Sequence, residues 1–573
     1  MSLNNNSKTN NKEKQILLLN YWLSRQFTDN LNMNMVGGGY KWTSFEHNGV
    51  MFPPEYIPHK IKLKYKIIDD NINEKVELVE LSTIAEEYIM LYVKYLDTDY
   101  VLNKTFNKNF FNDWKKTLGK DSIIKSLDNC DFSEYKQIYL DMKSMKLVNT
   151  GTSDEDVSLD KETNKDTKYK TAMVDGKPQP VGNFRMEPPG IFLGRGENPK
   201  IGKIKSRIYP EDITLNLSKE TKIPELPDFL KSHKWGKIIH DKHAEWLASW
   251  RDTITDKYKY VWLGAHSDFK TSSDTAKFDL ASKLKRKIEM IHKDNEQNLL
   301  STDTKKKQVA TAFYFIDKFA LRVGNEKSAD DTDTVGVTSL RCEHIELKES
   351  NQIVLDFLGK DSVRYYNKLS VDEIVYKNIE EFIQGKTMND EVFDKINSND
   401  INKYLQIFMS NLTAKVFRTY NASSLFQKEL KKITKKYENN TDKTLLLDEF
   451  NKANAKVAQL CNHQKNVGKN FKDNLSKIDI QLKKVKSDLK KAKMNKSSKV
   501  SSLTVKLQKL KSRKELKQEL KNISLGTSKA NYIDPRITVA FLKLHNLPIE
   551  KVFSSTLRDK FKWAFEVDAD YKF

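Results

Sequence analysis

Between residues 471 and 492, apolar side chains recur at alternating intervals of four and three: Phe471, Leu475, Ile478, Leu482, Val485, Leu489 and Ala492. Such spacing lays one stripe along a helix and suits packing against a single partner helix. The stripe stops at Met494-Asn495-Lys496-Ser497-Ser498-Lys499 and resumes with Val500, Leu503, Leu507 and Leu510. A polar turn between two stripes predicts an antiparallel helical hairpin over 470–522, roughly 30 Å long at about 20 residues per arm. Upstream the pattern changes. From residue 40 to about 250, short β-like runs alternate with loops bounded by Phe52-Pro53-Pro54 and Glu187-Pro188-Pro189-Gly190. From about 258 to 469 helical spacing dominates, interrupted by a strand pair near 345–357 and 362–366. Residues 149–170 are acidic and rich in Ser, Thr and Asp without apolar periodicity, and read as an exposed insertion or poorly ordered loop. The first 36 residues are polar apart from one short apolar segment and end at Gly37-Gly38-Gly39, which reads as a flexible tail and hinge. No internal repeat is visible.

Composition narrows the class. The chain has 573 residues, which at about 150 per domain suggests three or four structural units. A hydrophobic fraction of 38% is enough to fill real cores. No run approaches the roughly 18 apolar residues needed to cross a bilayer, and the Asn- and Lys-rich start argues against a secretory signal. Three cysteines, Cys130, Cys342 and Cys461, cannot form a disulfide framework. These features predict a soluble, intracellular, reduced protein with no membrane partner. The 99 Lys and Arg against 78 Asp and Glu leave a net charge of +21, which points to a polyanion, nucleic acid first. Residues 470–522 alone carry 17 basic against 5 acidic residues. That stretch is either a solvated coiled coil or a basic arm near a phosphate backbone, and both descriptions can hold together.

Common chemistries fail on spacing. Gly359-Lys360-Asp361-Ser362 looks like the end of a phosphate-binding loop, but Val354 stands where the first glycine is required and Asp361 where a hydroxyl is required. His240 and His243 have no third ligand at a recognised spacing, so no metal site is expected. A Gly-x-Ser-x-Gly elbow is absent. What remains is a set of residues in sharp local contexts. They are Arg322 in Leu321-Arg322-Val323-Gly324-Asn325-Glu326-Lys327, and Lys360 after Asp356-Phe357-Leu358-Gly359. Arg418 lies in Lys415-Val416-Phe417-Arg418-Thr419-Tyr420-Asn421-Ala422-Ser423, His463 in Cys461-Asn462-His463-Gln464, and Tyr532 in Asn531-Tyr532-Ile533-Asp534-Pro535-Arg536. Taken singly, each has a plain structural explanation: a snorkelling Arg, a satisfied His, a core Tyr.

In combination these words resemble the type IB DNA topoisomerases, specifically the large eukaryotic-type enzymes. Arg322, Lys360, Arg418, His463 and Tyr532 fall in the chain order of that family's catalytic pentad. The resemblance extends upstream through Gly194-Arg195-Gly196 and Lys108-Asn109-Phe110-Phe111, and downstream through Lys560-Phe561-Lys562-Trp563-Ala564-Phe565, covering about 40–573. It departs at Leu193 and Lys465, where many relatives have Arg, which predicts weaker phosphate contacts there. The segment before Tyr40 is shorter than the family's charged N-terminal region, and 149–170 does not read as the long helix pair that relatives carry in the cap.

The resemblance implies an α+β multidomain chain. A mixed α/β cap lobe that clamps DNA would span 40–263, after the tail 1–39. A mainly helical catalytic lobe of the tyrosine recombinase and type IB topoisomerase fold would span 264–469. A coiled-coil linker, 470–522, would precede a C-terminal domain, 523–573, carrying the nucleophile. It implies Tyr532 as a nucleophile that forms a 3′-phosphotyrosine, Arg322 and Arg418 on the non-bridging oxygens, His463 as a further donor, and Lys360 as general acid. Relaxation of positive and negative supercoils would then need neither ATP nor metal, and no cofactor. Double-stranded DNA would be the partner, largely without sequence readout, held by a monomer. Arg195, Lys205 and Arg207 are implied cap-side DNA contacts, and Arg195, Asp361 and Asn531 a camptothecin-type inhibitor site at the nick. The implied compartment is the nucleus, with roles in replication and transcription, or a viral factory or virion for a virus-encoded chain. Two alternatives are a tyrosine recombinase-like strand transferase and a non-catalytic DNA-binding protein.

Overall fold

Alternation along Leu63–Ile68 sends Leu63 and Tyr65 into a core and Lys66 outward, as a strand covered on one face requires. The structure, a computed structural model, describes residues 40–68, 74–150, 167–324, 334–438, 442–465, 467, 470–495 and 498–573. The expected tail and most of the expected insertion lie outside these residues. The chain divides between Lys270 and Thr271 into two units, inside helix Asp268–Leu284.

The first unit has two hydrophobic clusters. In one, strands Glu74–Val79, Leu63–Ile68 and Cys130–Asp131 form an antiparallel sheet against helices Thr83–Tyr92 and Lys104–Trp114. Asn103 caps the second helix by accepting from the Thr105 and Phe106 amides. Phe106, Phe110 and Trp114 recur every four residues on its buried face, with Tyr92 stacked 4.3 Å from Phe110 between ring centroids. Leu193 packs against this same cluster, which gives an apolar residue there a structural reason. The other cluster fills the sheet ordered Lys237–Ile239, Thr214–Asn216, Trp246–Arg251, Tyr258–Trp262, around Leu215, Leu247 and Val261. Helix Ser133–Thr150 runs to the last described residue before the gap, so the expected loop does not begin at Asn149.

The second unit is built around helix Thr304–Lys318, capped by Asp303 and buried along Ala310, Ala312, Phe313, Phe315 and Ile316. Helices Ile288–Leu299, Glu373–Ile383, Ser398–Gln406 and Ala414–Lys436 pack on it. The expected strand pair is an antiparallel sheet of three: Ile345–Lys348, Gln352–Gly359 and Val363–Ser370. Ser350 and Asn351 take left-handed backbone, φ 61 and 54, and split the first run into two strands. Helices Phe471–Met494 and Val500–Glu519 pack against each other, with Ile478, Leu482, Val485 and Leu489 buried and Lys514 paired to Asp479 at 2.6 Å. Helices Leu525–Asn531, Pro535–Leu544 and Ser555–Lys560 follow. Phe541 on the second of these, with Ile533, Phe553 and Phe561 from the connecting segments, joins the cluster that holds Phe313 and Phe417, so the last fifty residues share one core with the helices before the hairpin.

Candidate active site

Tyr532 ends helix Leu525–Asn531, and both it and Ile533 donate their amides to Ser528 O at 3.0 Å. Asp534 and Pro535 then start a new helix, so the chain turns sharply at the tyrosine. Ser423 Oγ donates to Tyr532 O (3.1 Å) and accepts from the Asp534 amide (3.0 Å). Ser423 lies five residues beyond Arg418 on the same helix, so one element holds the tyrosine's main chain and a cation beside its ring. The Arg418 guanidinium carbon is 5.1 Å from the Tyr532 ring centroid. Its Nη1 donates to Ala320 O (2.5 Å) and its Nη2 to Cys461 O (2.6 Å), which fixes the fork in a buried place.

Arg322 reaches the hydroxyl itself, with Nη1 3.2 Å from Tyr532 Oη. Its backbone position follows from two tight pairings. Arg322 O accepts from the Val337 amide (2.9 Å) and Val323 O from the Thr338 amide (2.7 Å). Gly324 and Gly336 meet back to back there: a Cβ on Gly336 would stand 2.4 Å from Gly324 Cα and 2.8 Å from Arg322 O. The Val335 amide donates to Leu358 O, tying this segment to the sheet strand that leads to Lys360.

His463 stacks beside the phenol, ring centroids 5.2 Å apart, with Nδ1 2.8 Å from Ser528 Oγ. A short backbone-paired neck holds it: the Ser524 amide donates to His463 O (2.8 Å), the Lys465 amide to Asn522 O (2.9 Å), and Gln464 bridges Ile523. The helical hairpin leaves and returns through this neck. Lys360 sits exposed at the turn after Gly359 and lines one cleft of about 140 Å³ with Arg322, Arg418 and His463.

Charge in the site is polarised. Burial raises the Tyr532 pKa, but Arg418 and Arg322 more than offset it, and the phenol titrates below its ordinary value. Burial, reinforced by the same two guanidiniums, drops His463 to about 3, so its imidazole is neutral. Two buried nitrogens, Arg418 Nε and His463 Nε2, have no hydrogen-bond partner among the described residues. Unpaired buried nitrogens beside a phenol prone to ionise make a site suited to an oxyanion.

The remaining candidates divide between the units. Arg207 spends its guanidinium on Glu87 (2.7 Å) and Pro54 O (2.8 Å), holding a loop to helix Thr83–Tyr92, so in this structure it acts as a packing residue. Lys205 pairs with Glu187, and burial beside Lys259 lowers its pKa to about 8. Arg195 is exposed between Gly194 and Gly196, both at positive φ. Asn531 is exposed next to Tyr532 with its amide on Thr527 O, and Asp361 lies in the turn that carries Lys360. Ser423 and Cys461 lie inside the motif words, but the motifs gave no role to them, to Ser528 or to the Ala320 carbonyl, which together hold Tyr532, His463 and Arg418.

Comparison with known proteins supplies the context. The family model described as eukaryotic DNA topoisomerase I, DNA binding fragment, matches residues 40–263, the catalytic core of the same family matches 266–496, and a C-terminal topoisomerase domain matches 504–573. DNA topoisomerase 1 alpha of Arabidopsis thaliana is 40% identical over 563 residues, covering 94% of this chain and 60% of its own length. DNA topoisomerase 1 of Caenorhabditis elegans is 40% identical over 566 residues (93% and 68%), and that of Homo sapiens 40% over 570 (93% and 72%). The chain thus spans about 60% of the length of the Arabidopsis proteins it matches.

Proposed function

This chain belongs to the eukaryotic DNA topoisomerase I family, and from that premise we propose that it relaxes positive and negative DNA supercoils by transient single-strand cleavage through a 3′-phosphotyrosine. One observation carries the proposal: Tyr532 Oη stands 3.2 Å from Arg322, with Arg418 against its ring and His463 stacked alongside.

In the proposed reaction the phenol releases its proton to solvent, and the phenolate oxygen attacks the phosphorus. The bond from phosphorus to the 5′-oxygen breaks as the new ester forms, and Lys360 gives that oxygen its proton. Arg322 and Arg418 stabilise the charge that builds on the two non-bridging oxygens. In this reading Ser528 donates to His463 Nδ1, which puts the imidazole proton on Nε2, unpartnered among the described residues, where it donates to one of the same oxygens. The ester keeps the energy of the bond it replaced, so the freed 5′-hydroxyl reverses each step without ATP. Duplex rotation between the two steps removes supercoils. The first unit serves as the DNA-clamping cap, and the basic coiled-coil linker brakes rotation through phosphate contacts. The enzyme works as a monomer on duplex DNA in the nucleus.

The test is relaxation of positively and negatively supercoiled plasmid in EDTA without ATP. Tyr532→Phe should abolish relaxation and covalent trapping while leaving duplex affinity within about twofold of wild type. A Phe variant that still relaxed plasmid would end the proposal. The family resemblance assigns Arg195, Asp361 and Asn531 as camptothecin-type contacts, so the drug should increase covalent complexes in the wild-type chain. Equal trapping with and without drug would remove that assignment alone.

A further inference from the structure

Two lysines distant in sequence converge on the last turn before Tyr532. Lys277, on helix Asp268–Leu284, donates from Nζ to Asn531 O at 3.3 Å. Lys560, at the end of helix Ser555–Lys560, donates from Nζ to Ala530 O at 3.1 Å. Asp274 stands between them, 3.2 Å from Lys277 and 3.4 Å from Lys560. All three side chains are largely buried, between 19% and 29% exposed.

A helix leaves its last carbonyls without partners, and cations are favoured at that end. Helix Leu525–Asn531 is too short for its own hydrogen bonds to hold it rigid. The two lysines fill the vacant carbonyl positions immediately before the tyrosine, while Ser423 holds the carbonyl of Tyr532 itself. Three successive carbonyls, at 530, 531 and 532, are therefore gripped from three separate elements. Asp279 adds to the docking through Arg536, at 2.8 Å.

On the proposed role of Tyr532 as nucleophile, we infer that Lys277 and Lys560, joined through Asp274, are positioning residues that fix the tyrosine's main chain for attack on phosphorus. They touch neither the hydroxyl nor the cleft that Arg322, Arg418 and His463 line. Their effect passes through the backbone. In-line attack is sensitive to placement, so loosening this turn should slow bond formation more than it weakens DNA binding.

The experiment uses the full chain and a duplex oligonucleotide whose cleaved end diffuses away, under saturating enzyme. Lys277→Met and Lys560→Met should each lower the cleavage rate constant roughly 10- to 100-fold. The reaction amplitude and the duplex affinity should stay within about twofold of wild type. Lys277→Arg and Lys560→Arg, which keep the charge and the donors, should recover most of the rate. Amide hydrogen exchange of residues 528–534 in the DNA-free protein should quicken by about tenfold in the Met variants. A loss confined to amplitude would mean fewer folded molecules, and a loss that tracks affinity would mean direct DNA contact; either overturns the inference. So does unchanged exchange at 528–534. A wild-type chain that never cut duplex would instead sink the nucleophile role, and the exchange measurement would still decide whether the lysines clamp this turn.

Discussion

His463 carries a pH signature that separates folding from chemistry. Burial, with Arg418 and Arg322 nearby, holds its folded-state pKa at about 3, against about 6.5 in an unfolded chain. Between those values the unfolded chain binds a proton that the folded chain refuses. The stability His463 contributes is therefore fully present above about pH 6.5 and drains away as pH falls toward 3. Melting temperature measured from pH 7 to pH 4 should fall less steeply in His463→Gln than in wild type. Parallel curves would mean that the imidazole is not the group responsible. Tyr532 shows the opposite balance: burial raises its pKa, yet two guanidiniums pull it below the normal phenol. Burial, helped by one pair of arginines, keeps the imidazole neutral, and the same pair favours the phenolate, setting an uncharged ring beside an ionisable phenol.

At the scale of elements, the site depends on how closely two chain segments approach. Any side chain at Gly336 collides with Gly324 and with the Arg322 carbonyl. Gly336→Ala should cost about 1–3 kcal/mol of stability and lower the cleavage rate more than tenfold by displacing Arg322, since about 1 Å matters at this distance. Thermal melting and single-turnover cleavage measure the two effects, and a variant with wild-type values in both would refute the steric account. This close approach was not legible in the sequence, because Gly336 belongs to none of the recognised words. Helix Phe471–Met494 could be read, since its apolar interval matches a helix with one partner. The turn at Ser350 and Asn351 could not, because two ordinary polar residues adopt a left-handed backbone that spacing does not encode. Arg322, Arg418, His463 and Tyr532 stood out through motif words, but the groups that aim them are backbone carbonyls and serines without a signature. Spacing along the chain also does not reveal that Arg207 pairs with Glu87, 120 positions away.

Across the whole molecule the excess charge is concentrated, with 17 basic and 5 acidic residues in 470–522 out of a net +21. If these lysines face duplex DNA, replacing four of them with Gln should flatten the slope of log affinity against log salt by about 0.9 for each phosphate left unneutralised. Filter binding or fluorescence anisotropy from 50 to 200 mM salt, roughly the range over which such charge pairing is felt, gives the slope. An unchanged slope would make the hairpin a spacer rather than a DNA-facing arm. Catalysis should survive these changes, because Tyr532, Arg322, Arg418 and His463 all rest on the single core that runs from Phe278 to Phe573.

The neck at His463 and Ser524 means that the polypeptide need not be continuous across the hairpin's far end. New termini opened in the polar turn at 495–499 would leave each arm rooted by main-chain pairing, and the residues beyond it sealed into the common core. Two separately expressed pieces, cut there, should find each other and rebuild the tyrosine's surroundings. The same tip is where a reporter or affinity module could be spliced in at little thermodynamic penalty, since loop-closure entropy grows slowly with added length.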